Sequence, residues 1–334
     1  MIRSDQKIVC LFSILCFGKI RETPFLGNDC QAYHFIRDVI SVHCENEYTL
    51  KVPFSVRDIH TLYLVGVHQE SFHLQLVDIS FRHLIIRDWD MTDYYNDINK
   101  IVFTLNRHQS FTASYVQNLQ AWRWSDYEFE QIHIEKSSIT KIGSQRLSDL
   151  IAKRLFSWKM VELYIIDCQL LSIDPNVFSD TPYLRTLTLS HNTLSSIQSD
   201  SFPYQLHHLW LLDLSYNNLN HLNSDLFNKL PALVELNLNH NQLTELSHDL
   251  IKPVWFQLNL IHLQENRLNC RKLCWSLKTE SFPHPIAFDQ TKCSNDYLKN
   301  LVIGTMNIMF PICLYPWNLH RLNSLPKLTN QTSS

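Results

Sequence analysis

Between Leu184 and Leu268 one skeleton is written four times. It runs Leu184, Leu187, Leu189, Asn192, Leu194; then Leu209, Leu212, Leu214, Asn217, Leu219. The third copy is Leu233, Leu236, Leu238, Asn241, Leu243, and the fourth is Leu258, Ile261, Leu263, Asn266, Leu268. Starts at 184, 209, 233 and 258 lie 25, 24 and 25 residues apart. Residues two apart in an extended segment point the same way, so Leu187 and Leu189 face inward while Thr186, Thr188 and Ser190 face outward. No single copy can bury its own leucines, but stacked copies bury each other in one continuous core. The asparagines fall where each extended segment bends away, and their amides can satisfy backbone groups otherwise buried without partners. Phe202, Phe227 and Ile251, ten residues after the first three asparagines, are expected anchors on the outer side.

The spacing L-x-x-L-x-L-x-x-N-x-L resembles the leucine-rich repeat. That resemblance implies an α/β-type repeat solenoid: a horseshoe with a parallel sheet on its concave face and irregular or short helical segments on its convex side. A chain of 334 residues would ordinarily suggest about two domains. A solenoid grows linearly, so a single elongated domain is expected here.

Upstream, residues 59–159 carry degenerate copies and 160–268 regular ones. Ile59, Leu62, Leu64 and Val67 form the first plausible copy. Phe81 to Trp89, with Leu84 and Ile86 inward, forms another, and Ile98 to Asn106, with Ile101 and Phe103 inward, a third. Phe129 to Ile139 and Met160 to Leu170 fit better, the latter with Phe178 ten residues beyond Cys168. Steps of 17 and 31 residues in this half require a misplaced register or an insertion. The tract Ser110–Glu128 is expected to be the inserted loop or irregular coil. Cys168 stands where this repeat accepts Asn or Cys, so a buried structural thiol is expected there over a reactive one.

Composition narrows the chemistry. Net charge is −3, without the basic domain or stripe that nucleic-acid binders show. The five glycines, Gly18, Gly27, Gly66, Gly143 and Gly304, are too scattered for G-x-G-x-x-G, a phosphate-cradling loop or a nucleophile elbow. No His precedes a Glu, which removes the H-E-x-x-H zinc motif. No enzyme, cofactor or metal site is expected. Histidines at His133, His191, His240 and His262 leave a metal site or an acid-triggered release as an alternative to plain surface polarity.

The ends point outside the cell. Residues 1–18 read as a secretory signal: Arg3 and Lys7, the apolar run Ile8–Phe17, then Gly18, too short to span a bilayer. The competing reading is a buried N-terminal strand. Residues 19–58 would cap the open edge of the first coil, stapled by a Cys30–Cys44 disulfide. After Leu268, residues 269–313 hold Cys270, Cys274, Cys293 and Cys313. This spacing is poor for zinc, and four cysteines allow three pairings. Residues 314–334 form a polar tail with no apolar segment and the sequon at Asn330.

With these ends, the chain is similar to extracellular leucine-rich-repeat proteins with cysteine-rich caps, such as Slit, chaoptin, Toll-type ectodomains and small secreted relatives. In that family the first cap cysteine pairs with the third and the second with the fourth, which implies Cys270–Cys293 and Cys274–Cys313. The family often begins this cap with C-x-C, whereas this chain has C-x3-C.

Function is expected on the outward strand positions. Their middle column reads Tyr63, Ile85, Val102, His133, Tyr164, Thr188, Asp213, Asn237 and His262. Glu135, Glu162, Asp167, Tyr216, Glu235, His240 and Glu265 flank it. That face would hold an extracellular protein or a pathogen- or matrix-derived ligand, with no nucleic acid and no membrane insertion. Alternatives are a non-catalytic subunit of a secreted enzyme complex and the ectodomain of a membrane receptor anchored by sequence not present here. Oligomeric state is not encoded in these features.

Overall fold

Pairs of inward apolar residues at fixed intervals favour a stack of short parallel strands, and that is the architecture found. The computed structural model describes residues 30–35, 39–45, 58–65, 80–88, 110–116, 129–142, 159–179, 181–202, 206–269 and 287–288. In chain order the strands are β1 (Cys30–Phe35), β2 (Val39–Glu45), β3 (Asp58–Val65), β4 (Ser80–Arg87), β5 (Ser110–Ser114), β6 (Gln131–Glu135) and β7 (Lys141–Ile142). They continue as β8 (Glu162–Ile166), β9 (Ser172–Ile173), β10 (Thr186–Thr188), β11 (Leu211–Asp213), β12 (Glu235–Asn237), β13 (Leu260–His262) and β14 (Ala287–Phe288). All but β7 and β9 join one sheet in sequence order, parallel throughout except for the antiparallel β1–β2 hairpin. This is a leucine-rich-repeat solenoid, and its sheet lines the concave face. The hairpin register sets Cys30 opposite Cys44.

Register keeps one core running along the whole stack. Leu84, Phe111, Ile132, Leu163, Leu187, Leu212, Leu236 and Ile261 are successive partners across the strands. Each is essentially excluded from solvent. The outer wall is closed by short helical turns, including Ser199–Ser201, Leu226–Lys229 and α1 (His248–Ile251). Ser247 caps α1 by accepting a hydrogen bond from the Leu250 N–H at 3.2 Å. Phe178, Phe202, Phe227 and Ile251 are fully buried, and the Phe178 and Phe202 rings stack at 5.8 Å. β7 and β9 form a two-stranded ladder of their own.

The bend after each strand is held by a second ladder. Asn192 Oδ1 accepts from the Cys168 and Leu170 N–H groups, while its amide donates to the carbonyls of Ile165, Leu189 and Ser190. Asn217, Asn241 and Asn266 repeat this, each donating both to its own coil and to the preceding one. Cys168 holds the equivalent place one coil earlier. It is fully buried, and its Sγ–H donates to the Ile166 and Ile134 carbonyls. Ser137 precedes it, its hydroxyl accepting from the Val116 N–H and donating to the Glu135 carbonyl.

One register differs from the sequence expectation. β5 pairs directly with β4 on one side and with β6 on the other. The copy expected at Ile98–Asn106 lies outside the described residues, and the start of the tract expected to be an inserted loop is itself a strand. Phe111 and Ala113 supply the two inward side chains, a large and a small residue that together fill one layer of core. The sheet also continues past Leu268, since β14 pairs with β13. The expected signal (1–18), Cys270, Cys274, Cys293, Cys313, the tail (314–334) and Asn330 lie outside the described residues.

Candidate functional site

A coil whose inward residues are fixed leaves few side chains free to meet a ligand, and register decides which of them stand together. Ile85, Thr112, His133, Tyr164, Thr188, Asp213, Asn237 and His262 are direct partners in turn, and Tyr63 joins the row through the β3–β4 register. Thr112 therefore holds the place expected for Val102, which lies outside the described residues. From Ile85 onward the column is half-buried apart from the well-covered Thr188. Two positions upstream run His83, Ser110, Gln131, Glu162, Thr186, Leu211, Glu235 and Leu260.

Neighbouring strands hold several of these groups in place. His133 stacks on Tyr164 at 5.4 Å between ring centroids, and its Nε2 lies 3.7 Å from Glu135. The Tyr164 hydroxyl donates to Glu162 at 3.1 Å. Burial first, then the charge of Glu162 and this hydrogen bond, raises the Tyr164 phenol above its ordinary pKa. His262 Nε2 lies 3.6 Å from Glu235. Asp213 is oriented by accepting the Ser215 N–H at 2.9 Å, and Asn237 likewise accepts from Asn239.

A second row borders the sheet at its downstream rim. Asp88, Tyr115, Lys136, Asp167, His191, Tyr216, His240 and Glu265 each adopt φ between 48° and 56°. None is glycine, and left-handed backbone costs such residues roughly 1–2 kcal/mol. The conformation also lets each N–H from Asp88 through His240 donate to a carbonyl of the next coil, at 2.9–3.2 Å. Identical backbone geometry repeated at strand spacing stacks the side chains. His191, Tyr216 and His240 form a continuous column with 4.0 Å between centroids and interplanar angles of 11° and 12°. Earlier in the row, the Arg87 guanidinium and Lys136 ammonium lie 5.6 and 5.2 Å from the Tyr115 ring centroid. The hydrogen bond from Lys136 to the Tyr115 hydroxyl heads the causes that raise the lysine's pKa.

The expected residues thus divide. Ile85, His133, Tyr164, Asp213, Asn237 and His262 share the middle column; Glu235 lies one column upstream; Tyr216 belongs to the rim. Trp210, 44 % exposed beside β11, was not among the sequence candidates. Its signal was present: an aromatic at the position after the first leucine of a repeat, where no core place exists for it. Burial raises the Cys168 thiol to about 11, which leaves it a poor nucleophile. Among the described residues no cluster of His, Cys, Asp or Glu could hold a metal ion. Among them, too, no helix is long and apolar enough to cross a membrane.

Comparison with known proteins finds repeats in the same place. The family described as Leucine rich repeat matches residues 159–219 and 199–243. No curated protein matches the chain. Among solved structures, "Crystal structure of TLR13-ssRNA13 complex" is similar at 15% identity and a TM-score of 0.44, covering 66% of this chain. The likeness takes in 34% of that structure's chain, so this protein spans about a third of its length.

Proposed function

We propose that this protein is a secreted, non-enzymatic binding module that holds an extracellular protein on the concave face of its repeats. The observation that carries the reading is the row of half-buried side chains from Ile85 to His262, set in register on a rigid sheet. Such a surface needs little ordering on binding, so less of the contact energy is lost to side-chain entropy. Tyr164, Tyr216 and Trp210 supply the large amphipathic contacts that dominate protein interfaces. A protein-binding role is the general one for leucine-rich-repeat solenoids, whose stacked coils build extended concave surfaces.

The test begins with the tagged chain, expressed with its own N-terminus and recovered from culture medium. Proteins that co-purify are identified by mass spectrometry, and affinity is then measured for the double variant Tyr164→Ala, Asp213→Ala. A loss of about tenfold or more is expected when an aromatic contact and a charged one are removed from the centre of an interface. Retention of the chain inside the cell would contradict the secreted part of the reading. Unchanged affinity in the double variant would move the site off the concave face.

A further inference from the structure

The two halves of the rim row differ in how their charges are met. In the first half the chain supplies its own cations: Arg87 lies 3.4 Å from Asp88, and Arg87 and Lys136 both approach the Tyr115 ring. In the second half, register places the His191–Tyr216–His240 stack between Asp167 and Glu265. No lysine or arginine among the described residues forms an ion pair with either carboxylate. On the adjoining sheet, among the described residues, Asp213 accepts a backbone N–H and Glu235 faces His262.

Residues 160–268 contain eleven Asp and Glu but only four Lys and Arg, although the whole chain carries just −3. Those four are Arg185, Lys229, Arg267 and Lys252. Lys229 and Lys252 belong to the short helical turns of the outer wall, and Arg267 follows the bend after β13. Only Arg185, just before β10, stands beside the sheet. The face therefore combines an exposed aromatic column with carboxylates, Asp213, Glu235 and Glu265, that pair with no lysine or arginine among the described residues.

We propose that the concave face from β8 to β13, with its aromatic rim, docks a basic extended segment of the partner protein. This deepens the protein-binding reading and rests on it. Arginine or lysine side chains of that segment pair with Asp213, Glu235 and Glu265, and a guanidinium packs on the outer face of the His240 or His191 ring. Tyr115 with its two cations shows the same arrangement built within the chain. Five strands about 4.8 Å apart span roughly 19 Å, which about six extended residues cover at 3.3 Å each.

The probe is a labelled arginine peptide of about eight residues, long enough for that span. It is titrated against the full chain beside a glutamate peptide and a single-stranded RNA of equal length. Two triple variants are compared: Asp213→Asn, Glu235→Gln, Glu265→Gln on the face, and Asp200→Asn, Asp225→Asn, Asp249→Asn on the outer wall. Both lose the same charge, and thermal melting confirms that each is folded. The arginine peptide is expected to bind and the other two probes not to. Its affinity should fall about tenfold in the face variant and less than about twofold in the wall variant, since exposed pairs contribute a few tenths to one kcal/mol each. Equal losses in both variants, or binding of the RNA, would overturn the proposal. A protein partner that tolerates the face triple variant but not Tyr164→Ala, Asp213→Ala would overturn the basic occupant while leaving the protein-binding reading intact.

Discussion

At the scale of single residues, the asparagine ladder shows how one side chain can replace a whole strand of partners. Asn192 accepts two hydrogen bonds and donates toward three carbonyls, all in buried surroundings. Asn192→Ala should destabilise the chain by about 3 kcal/mol, because each buried backbone group left unmatched costs about 1–3 kcal/mol. Denaturant unfolding checks this, and a change below the error of the method would contradict it. Cys168 gives a second prediction. A thiol raised to about 11 by burial is ionised to the extent of about one part in a thousand at pH 8. Alkylation of Cys168, followed by mass spectrometry, should be negligible in the folded chain and prompt once it is unfolded. The sign of the linkage is that of a raised folded pKa. The thiol's contribution to stability is complete below pH 9 and declines as pH approaches about 11.

At the scale of elements, the legible and illegible parts of this chain separate for physical reasons. The four regular coils could be read because every inward place is filled by Leu or Ile and every bend by Asn. β5 could not. Its five residues, Ser-Phe-Thr-Ala-Ser, offer only Phe111 and Ala113 inward, while Ile98–Asn106, outside the described residues, presents a more leucine-like pattern. Core packing asks for volume in register, and Phe111 against Phe129 at 5.7 Å supplies it without a leucine. Phe111→Ala should accordingly cost about 3–5 kcal/mol. A near-neutral result in equilibrium unfolding would put the strand elsewhere. The left-handed rim residues were equally hard to read as a set. Asp, Tyr, Lys, His and Glu share no chemistry, and only their common place after the strand unites them. Sequence supplied the middle column except at the place expected for Val102, which Thr112 holds, but the stacking of His191, Tyr216 and His240 emerges only when identical backbone turns are superposed coil on coil.

For the molecule as a whole, stability and binding draw on the same stacking. Every coil contacts mainly its neighbours, so a defect at Phe111 or Asn192 weakens local coupling along the sheet as well as total stability. The same repetition turns scattered outward residues into continuous rows, which gives the protein a broad, rigid face. Ile85 and Thr112 make that face mixed at its first coils, whereas Trp210, Tyr216 and the carboxylates make it aromatic and acidic further along. A photoreactive amino acid placed in turn at Tyr216, Asn237, Asp225 and Ser199 tests whether this face is where the partner sits. Irradiation of the assembled complex should yield crosslinks from Tyr216 and Asn237 and none from the outer-wall positions Asp225 and Ser199. Crosslinks confined to Asp225 and Ser199 would contradict the account.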